Sequence, residues 1–326
     1  MKVAFDGACL ADGPPTGVAR AFLHGLAAYA DAWPDDAILL LPDGAHAAPP
    51  AGVGIVTAPR GAWRRQRELP RLLRESAADV LHSPVAAVPL RAPCPTIATV
   101  HDLPWRCRDA GERTPLRRRL ATRLALRTAA AVLAPSQFTF EAARGLVPDE
   151  RLHLVPHGLP PLPPAAATPR DGPLLALGDD RPRKNRAALL RAHTRATEQR
   201  PDLPPLRCVG PPHDFVDEDE KLRLLRTCSA VVHVARFEGY GLPVLEALQA
   251  GAPVVCSDLP PLREIAGDAA VYVDPRDDAS IAAGLVRVLD TQLRERLAAA
   301  GPARAARFPI AATVRRWREL HEELLR

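Results

Sequence analysis

Lysine is almost absent from this chain. Of 43 basic residues only Lys2, Lys184 and Lys221 are lysine, and arginine supplies the rest. Alanine and proline are also abundant, so part of the arginine excess is compositional bias of the kind a GC-rich genome imposes. A net charge of +5 on 326 residues is mild, and it does not by itself argue for nucleic acid as a partner. The interleaved aromatics of a nucleic-acid platform are missing too, so no nucleic acid is expected. Cysteine is sparse and scattered (Cys9, Cys94, Cys107, Cys208, Cys228, Cys256), with no Cys-x2-Cys pair. That argues against a zinc knuckle and a disulfide framework and favours a reducing compartment. The N-terminal Met1–Gly7 stretch is too short, and too soon interrupted by Asp6, to be a signal peptide. No apolar run approaches the length of a transmembrane helix. A cytoplasmic protein is the expectation.

What is present suits two domains of ordinary size with ample core: 47% hydrophobic and 25% charged residues. Short apolar runs alternate with helical periodicity, the pattern of βαβ units around parallel sheets. The first half predicts strands at 2–5, 37–41, 54–57, 80–82, 96–100 and 131–134, and helices at 17–29, 65–75, 116–128 and 137–145. A proline-rich stretch at 156–164 is stiff and poor in donors, as an interdomain linker would be. The second half restarts the pattern, with strands at 174–177, 207–209, 230–234, 253–256 and 271–273. Its helices are expected at 185–199, 218–227, 244–250 and 279–289, and a last amphipathic helix at 312–325.

The run from Phe237 to Leu248 carries the most chemistry. Glu238 and Glu246 stand eight positions apart, the first in a glycine-rich turn and the second about two turns into a predicted helix. Gly239 and Gly241 let backbone approach a ligand closely. Pro243 suits a first helical turn, whose free N–H groups favour an anion such as phosphate. Carboxylates cannot share a phosphate's place, so the two glutamates are better suited to accept from hydroxyls. Hydroxyls together with phosphate suggest a nucleotide-sugar. Upstream, Arg183-Lys184-Asn185 follows a predicted strand and opens a helix. An adjacent Arg and Lys can meet phosphate oxygens bidentately and as a point charge, although a solvated basic turn has the same composition. Asn185 is expected to cap the helix.

These segments resemble the Glu-x7-Glu and Arg-Lys-Asn motifs of retaining GT-B glycosyltransferases of family GT4. The likeness continues through Gly251-Ala252-Pro253, Ser257-Asp258-Leu259-Pro260, Glu264, Gly267-Asp268-Ala269-Ala270 and Val273-Asp274-Pro275. It covers nearly the whole chain. The resemblance implies an α/β GT-B fold, two Rossmann-like domains with parallel sheets facing a central cleft. Residues 1–158 would form the acceptor-side domain, 170–307 the nucleotide-sugar-binding domain, and 308–326 would cross back to the first. It also implies that a hexose moves from a nucleoside-diphosphate sugar to a glycan, lipid-linked or small-molecule acceptor, in envelope or exopolysaccharide synthesis. No metal cofactor is expected in that scheme. Arg183 and Lys184 would stabilise the leaving diphosphate, and Glu246 would hold the ribose. Glu238 and the backbone of Gly239, Tyr240, Gly241 and Leu242 would orient the sugar. His101, in Val100-His101-Asp102 at the end of a buried strand, would contact the donor sugar, though such a histidine can be purely structural. Gly17, in Pro15-Thr16-Gly17, resembles a loop closing over the reaction centre, and equally a plain strand-to-helix turn.

Several features depart from this picture or stand beside it. Between the helix after Asn185 and the Glu238 turn only one strand and one helix fit, where the family usually has a further pair. The second domain is therefore expected to be short, with base recognition by the loop 210–213 the least secure expectation. Asp217-Glu218-Asp219 mimics a metal-binding Asp-x-Asp but sits where acids complement a helix start. Ser136 is expected as a helix cap, and His82 and His157 have no evident chemistry. Fifteen arginines against six acids lie between Arg60 and Arg127. That excess is either a solvated face in an arginine-biased chain or a docking surface for an anionic membrane, on the inner face of the plasma membrane. Two other functions are compatible with the architecture: a nucleotide-sugar epimerase, and a non-catalytic binding protein using the basic face.

Overall fold

The computed structural model describes residues 1–11, 16–45, 48–107, 113–164, 168–211 and 214–326. Pro15, Pro212 and His213 lie outside the described residues. The chain forms two compact units. The first comprises Met1–Leu103, Thr114–Pro160 and Phe308–Arg326, the second Pro104–Arg113 and Pro161–Arg307.

The first unit runs β1 (Val3–Asp6), α1 (Gly17–Ala32), β2 (Ala37–Pro42), β3 (Gly54–Ala58), α2 (Ala62–Glu75), β4 (Val80–Ser83), β5 (Thr96–Thr99), α3 (Leu116–Thr128), β6 (Ala131–Ala134), α4 (Gln137–Ala143) and β7 (Leu152–Leu154). The strands make one parallel sheet in the order β3-β2-β1-β4-β5-β6-β7. Its central strands are apolar without alternation because helices cover both faces: every residue of β1, β4, β5 and β6 is buried. Leu69 and Leu73 of α2 pack with Leu40, Ala58 and Leu81. Helix starts follow local chemistry: Thr16 accepts from the Ala19 amide and Ser136 from the Thr139 amide, capping α1 and α4.

The second unit runs β8 (Gly172–Leu177), α5 (Arg186–Gln199), β9 (Leu206–Val209), α6 (Glu218–Thr227), β10 (Cys228–His233), α7 (Leu242–Gln249), β11 (Val254–Ser257), α8 (Pro260–Ala266), β12 (Val271–Val273), α9 (Asp278–Arg287) and α10 (Thr291–Ala305). Its parallel sheet has five strands in the order β12-β11-β10-β8-β9. Among the described residues only β9 and α6 lie between α5 and β10, the short passage the sequence implied. Leu174, Leu189, Val232, Val255, Ile281 and Leu285 centre the core.

The last helix, α11 (Ile310–Leu324), belongs to the first unit. Backbone hydrogen bonds run from Leu159 N to Phe308 O and from Ile310 N to Leu159 O, both 3.1 Å, and tie its start to the end of the proline-rich stretch. Trp317 packs so closely on α1 that a Cβ on Gly25 would lie 2.2 Å from its ring. His321 Nε2 meets His82 Nδ1 at 3.0 Å, and its Nδ1 meets the Tyr29 hydroxyl at 3.3 Å. Arg318 pairs with Asp36. Burial pushes the His82 imidazole down to about 3, so the pair is held neutral.

Candidate active site

β8 delivers the chain to a short 3₁₀ turn, Pro182–Lys184, directly before α5. The turn is fixed to the segment that follows β10: Arg236 N donates to Arg183 O at 2.8 Å. Asn185 reinforces the same junction. Its Nδ2 donates to Val234 O at 3.1 Å and to Pro275 O at 2.7 Å. The expectation that Asn185 caps α5 with its side chain is corrected here. It sits in the left-handed region (φ 60°) and makes no side-chain cap, because its amide is taken by two backbone carbonyls that would otherwise be left unsatisfied in the interior.

This anchoring brings the expected residues together. Lys184 Nζ lies 2.8 Å from Glu238 Oε2, with both side chains largely buried. His233, at the end of β10, places Nε2 3.0 Å from the same oxygen. Arg183 is 8% exposed, and its charge acts on Glu238 and on His233. Burial opposes ionisation of Glu238. The Lys184 ammonium, the His233 hydrogen bond and the Arg183 charge outweigh it and hold the carboxyl well below its ordinary range. His233 is pushed down, first by burial, so its neutral ring donates through Nε2–H to Glu238. Lys184 and His233 both meet Glu238 at Oε2. A cavity at the carboxyl ends of β8 and β10 is lined by Ala176, Gly178, Lys184, Val232 and His233.

Eight residues on, Glu246 is buried on α7, with Lys221 Nζ 2.9 Å from its Oε1. Lys221 also meets Glu218 Oε2 at 2.6 Å. The two lysines of the second unit are thus the counter-ions of the two spaced glutamates, one each. The sequence reading gave Lys184 to the diphosphate and did not anticipate its pairing with Glu238. The Lys221 pairing escaped sequence reasoning, although the rarity of lysine was a usable signal. Asp217 caps α6, accepting from the Glu220 amide at 2.8 Å, in line with the helix-start reading of Asp217-Glu218-Asp219.

The turn between the glutamates needs its glycine. Gly241 has φ 106°, and a Cβ there would lie 2.5 Å from Leu262 Cδ2 of α8. Gly239 and Tyr240 are buried beside it, and Leu242 starts α7 with Pro243 in its first turn and no side-chain cap. Pro243 has no N–H, and the Val244 and Leu245 amides donate to Gly241 O at 2.9 and 3.1 Å, so the first turn of α7 keeps few amides for an anion.

In the first unit, His101 Nε2 donates to Pro84 O at 2.7 Å, and its Nδ1 lies 3.3 Å from His157 Nε2. The two rings stack at 5.2 Å. Burial pushes both imidazoles down, His157 to about 3. The expected donor role of His101 thus meets a ring whose nitrogens are both engaged, and His157 is its unanticipated partner. Gly17 opens α1, and among the described residues no atom lies within 4 Å of where its Cβ would stand.

The two arginine clusters differ in kind. On α2, Arg64 pairs with Glu68, Arg71 with Glu75 and Arg65 with the buried Asp6. On α3, Arg117, Arg118, Arg123 and Arg127 are exposed and have no carboxylate partner among the described residues. Leu116, Leu120 and Leu124 lie between them at four-residue spacing, 69%, 54% and 46% exposed. Among the described residues no helix is long and apolar enough to cross a membrane.

Residues 22–161 match the family model described as Glycosyltransferase Family 4, and residues 213–304 the one described as Glycosyl transferases group 1. O-antigen chain mannosyltransferase B of Escherichia coli is 38% identical over 95 residues, 29% of this chain and 25% of that protein. Phosphatidyl-myo-inositol mannosyltransferase of Mycobacterium tuberculosis (strain H37Rv) is 35% identical over 170 residues, 43% of this chain and 44% of that protein. The chain thus spans between a quarter and less than half the length of these relatives. Among solved structures, Anabaena Alr3699/HepE in complex with UDP and glucose superposes with a TM-score of 0.75 at 16% identity, over 99% of this chain and 100% of that one. WaaG, a glycosyltransferase involved in lipopolysaccharide biosynthesis, gives 0.75 at 16% over 99% of each. With one family model matched in each half and the whole chain sharing the fold of glycosyltransferases, the chain belongs to the GT4 family and has the GT-B fold.

Proposed function

We propose that this protein is a retaining glycosyltransferase that moves a hexose from a nucleoside-diphosphate sugar to a glycan, lipid-linked or small-molecule acceptor in envelope or polysaccharide synthesis. The observation that carries this reading is the joining of Arg183, Lys184 and Glu238 at the carboxyl edge of the second sheet. The E. coli and M. tuberculosis relatives, both named as mannosyltransferases, support a mannose-type donor. Lys184 has three N–H donors and gives one to Glu238, so two are left for phosphate oxygens. Arg183 adds a second fixed charge. Together they stabilise the negative charge that grows on the diphosphate as the anomeric carbon–oxygen bond breaks, the task a metal ion performs elsewhere, and no metal is required. Glu238 accepts from a sugar hydroxyl, and Glu246 from the ribose. The acceptor oxygen bonds to the anomeric carbon on the face the diphosphate leaves, and its proton passes to the diphosphate. We assign His101 no proton transfer. Both of its ring nitrogens are already engaged, by Pro84 O and His157.

A thermal-shift panel of UDP, GDP, dTDP and ADP tests the donor site, since a ligand held by the folded state raises its stability. At least one should raise the melting temperature by several degrees at millimolar concentration. No response to any of the four refutes the reading.

We further propose an anionic membrane surface as a partner, through α3. Its leucine stripe can enter the acyl boundary while the flanking arginines, which have no carboxylate partner among the described residues, meet lipid phosphates. Wild-type protein should sediment with phosphatidylglycerol-containing vesicles at low salt, and the triple variant L116S/L120S/L124S should not. Equal sedimentation of the two, or equal binding to neutral vesicles, overturns it.

A further inference from the structure

Lys221 is the most buried charged side chain near the spaced glutamates, at 6% exposure. It reaches from the first turn of α6 to Glu246 on α7, 25 residues away in sequence. Two of its three N–H groups are accounted for, by Glu246 Oε1 at 2.9 Å and Glu218 Oε2 at 2.6 Å. No third acceptor for Nζ is found among the described residues. A buried ammonium with a donor to spare is costly unless something accepts from it. Asp217 fixes the start of α6, so the lysine is held from below, while Lys221 takes one oxygen of Glu246 and leaves Oε2 for another group.

Arginine supplies the other forty basic residues of this chain, and would not do here. A guanidinium is a planar fork that binds a carboxylate bidentately, whereas an ammonium is a compact charge that can point its donors three ways. Only lysine can hold one carboxylate oxygen of Glu246, lean on Glu218 and still aim a donor past them.

Resting on the donor-site reading above, we propose that Lys221 is a specificity-determining residue which, with Glu246, reads a hydroxyl of the donor's ribose from both sides. Glu246 Oε2 accepts the hydroxyl proton, and the third Lys221 N–H donates to the hydroxyl oxygen. A hydroxyl so held is satisfied as donor and as acceptor. The ammonium and the carboxylate stay paired with each other when the ligand lacks this hydroxyl, but one buried N–H and one buried carboxylate oxygen then go unmatched, so the site rejects 2′- or 3′-deoxyribonucleotides. A carboxylate alone would miss only one hydrogen bond and discriminate weakly.

The test is calorimetric titration of a responding nucleoside diphosphate and its 2′-deoxy and 3′-deoxy counterparts into wild type, K221M and K221R. Wild type should favour the ribonucleotide over at least one deoxy form by about 10- to 100-fold, the usual penalty for stranding buried polar groups. K221M should weaken ribonucleotide binding by a similar factor and leave the deoxy forms nearly unchanged, so that discrimination collapses. K221R keeps the charge and guards against a folding failure of K221M. It should fold, and should also lose most of the discrimination. A purely structural lysine would instead weaken all forms equally in K221M. That outcome, a wild-type ratio near one, or discrimination retained in K221R overturns the proposal. Should none of the nucleotides bind wild type, the donor-site reading itself fails, a result distinguishable from the others.

Discussion

Replacing Lys184 by alanine separates the electrostatic role of this residue from its structural one. Lys184 and Glu238 are 13% and 12% exposed at the side chain and 2.8 Å apart. Breaking a buried ion pair by removing one partner costs about 3–5 kcal/mol when the other charge is stranded. Glu238 is not stranded in this variant, because His233 still donates to it at 3.0 Å and Arg183 still acts on it. The loss of stability should therefore fall below that range, at about 1–2 kcal/mol, or a fall of a few degrees in melting temperature. The loss in turnover should be much larger. Removing one preorganised stabiliser of transition-state charge typically costs about 10²–10³ in kcat, and Lys184 is one of two fixed cations in this site. K184R should recover little, since a guanidinium cannot take the place of a compact ammonium between Glu238 and a phosphate. The assay is release of nucleoside diphosphate coupled to sugar transfer, read beside a urea melt. A variant that turns over at the parental rate, or whose activity falls only in step with its folded fraction, would refute the reasoning.

Three further outcomes follow from the packing. N185A removes the amide that satisfies Val234 O and Pro275 O and puts alanine at φ 60°. It should cost about 3 kcal/mol in denaturant unfolding, and a cost below 1 kcal/mol would contradict the anchoring role. The His82 ring stays neutral in the folded first unit down to about pH 3, whereas an unfolded histidine takes up a proton near 6.5. The unfolded state therefore binds more protons in that window. Stability should be full above pH 6.5 and fall by about 1.4 kcal/mol per pH unit below it for this group. H82N should lose part of that slope, and an unchanged slope would remove His82 as its cause. G25A would force a methyl against Trp317. It should destabilise the first unit by about 1–3 kcal/mol or more, and a neutral result in chemical denaturation would mean that α11 is not seated there.

Most strands were legible because a parallel sheet buried on both faces leaves continuous apolar runs such as Ala37–Pro42 and Cys228–His233. The elements missed lacked such a signal. β7 is three residues at a sheet edge. α8 opens on Pro260-Pro261 and lasts seven residues. α10 carries Pro302 in its last turn, where sequence alone suggests a stop. At the site, Arg183, Lys184, Glu238 and Glu246, which local motifs singled out, all lie in the second unit. The partners that tune them did not show, because His233 reaches Glu238, and Lys221 reaches Glu246, only through the sheet and helix packing. Asn185 was misjudged for a related reason. Its position before a helix suggests a cap, and only the fold reveals two carbonyls competing for its amide. His101 likewise looked available from sequence, since nothing local announces that His157 stacks on it 56 residues later.

The central claim is that a guanidinium and an ammonium supply the counter-charge for a diphosphate, with no divalent ion. Calorimetric titration of a nucleoside diphosphate into wild type and the double variant R183M/K184M, each with and without EDTA, tests this most directly. The account predicts wild-type affinity indifferent to EDTA and a loss of at least about 100-fold in the variant, two desolvated charge contacts at roughly 1.5 kcal/mol or more each. Affinity abolished by EDTA in wild type, or undiminished in the variant, would contradict it.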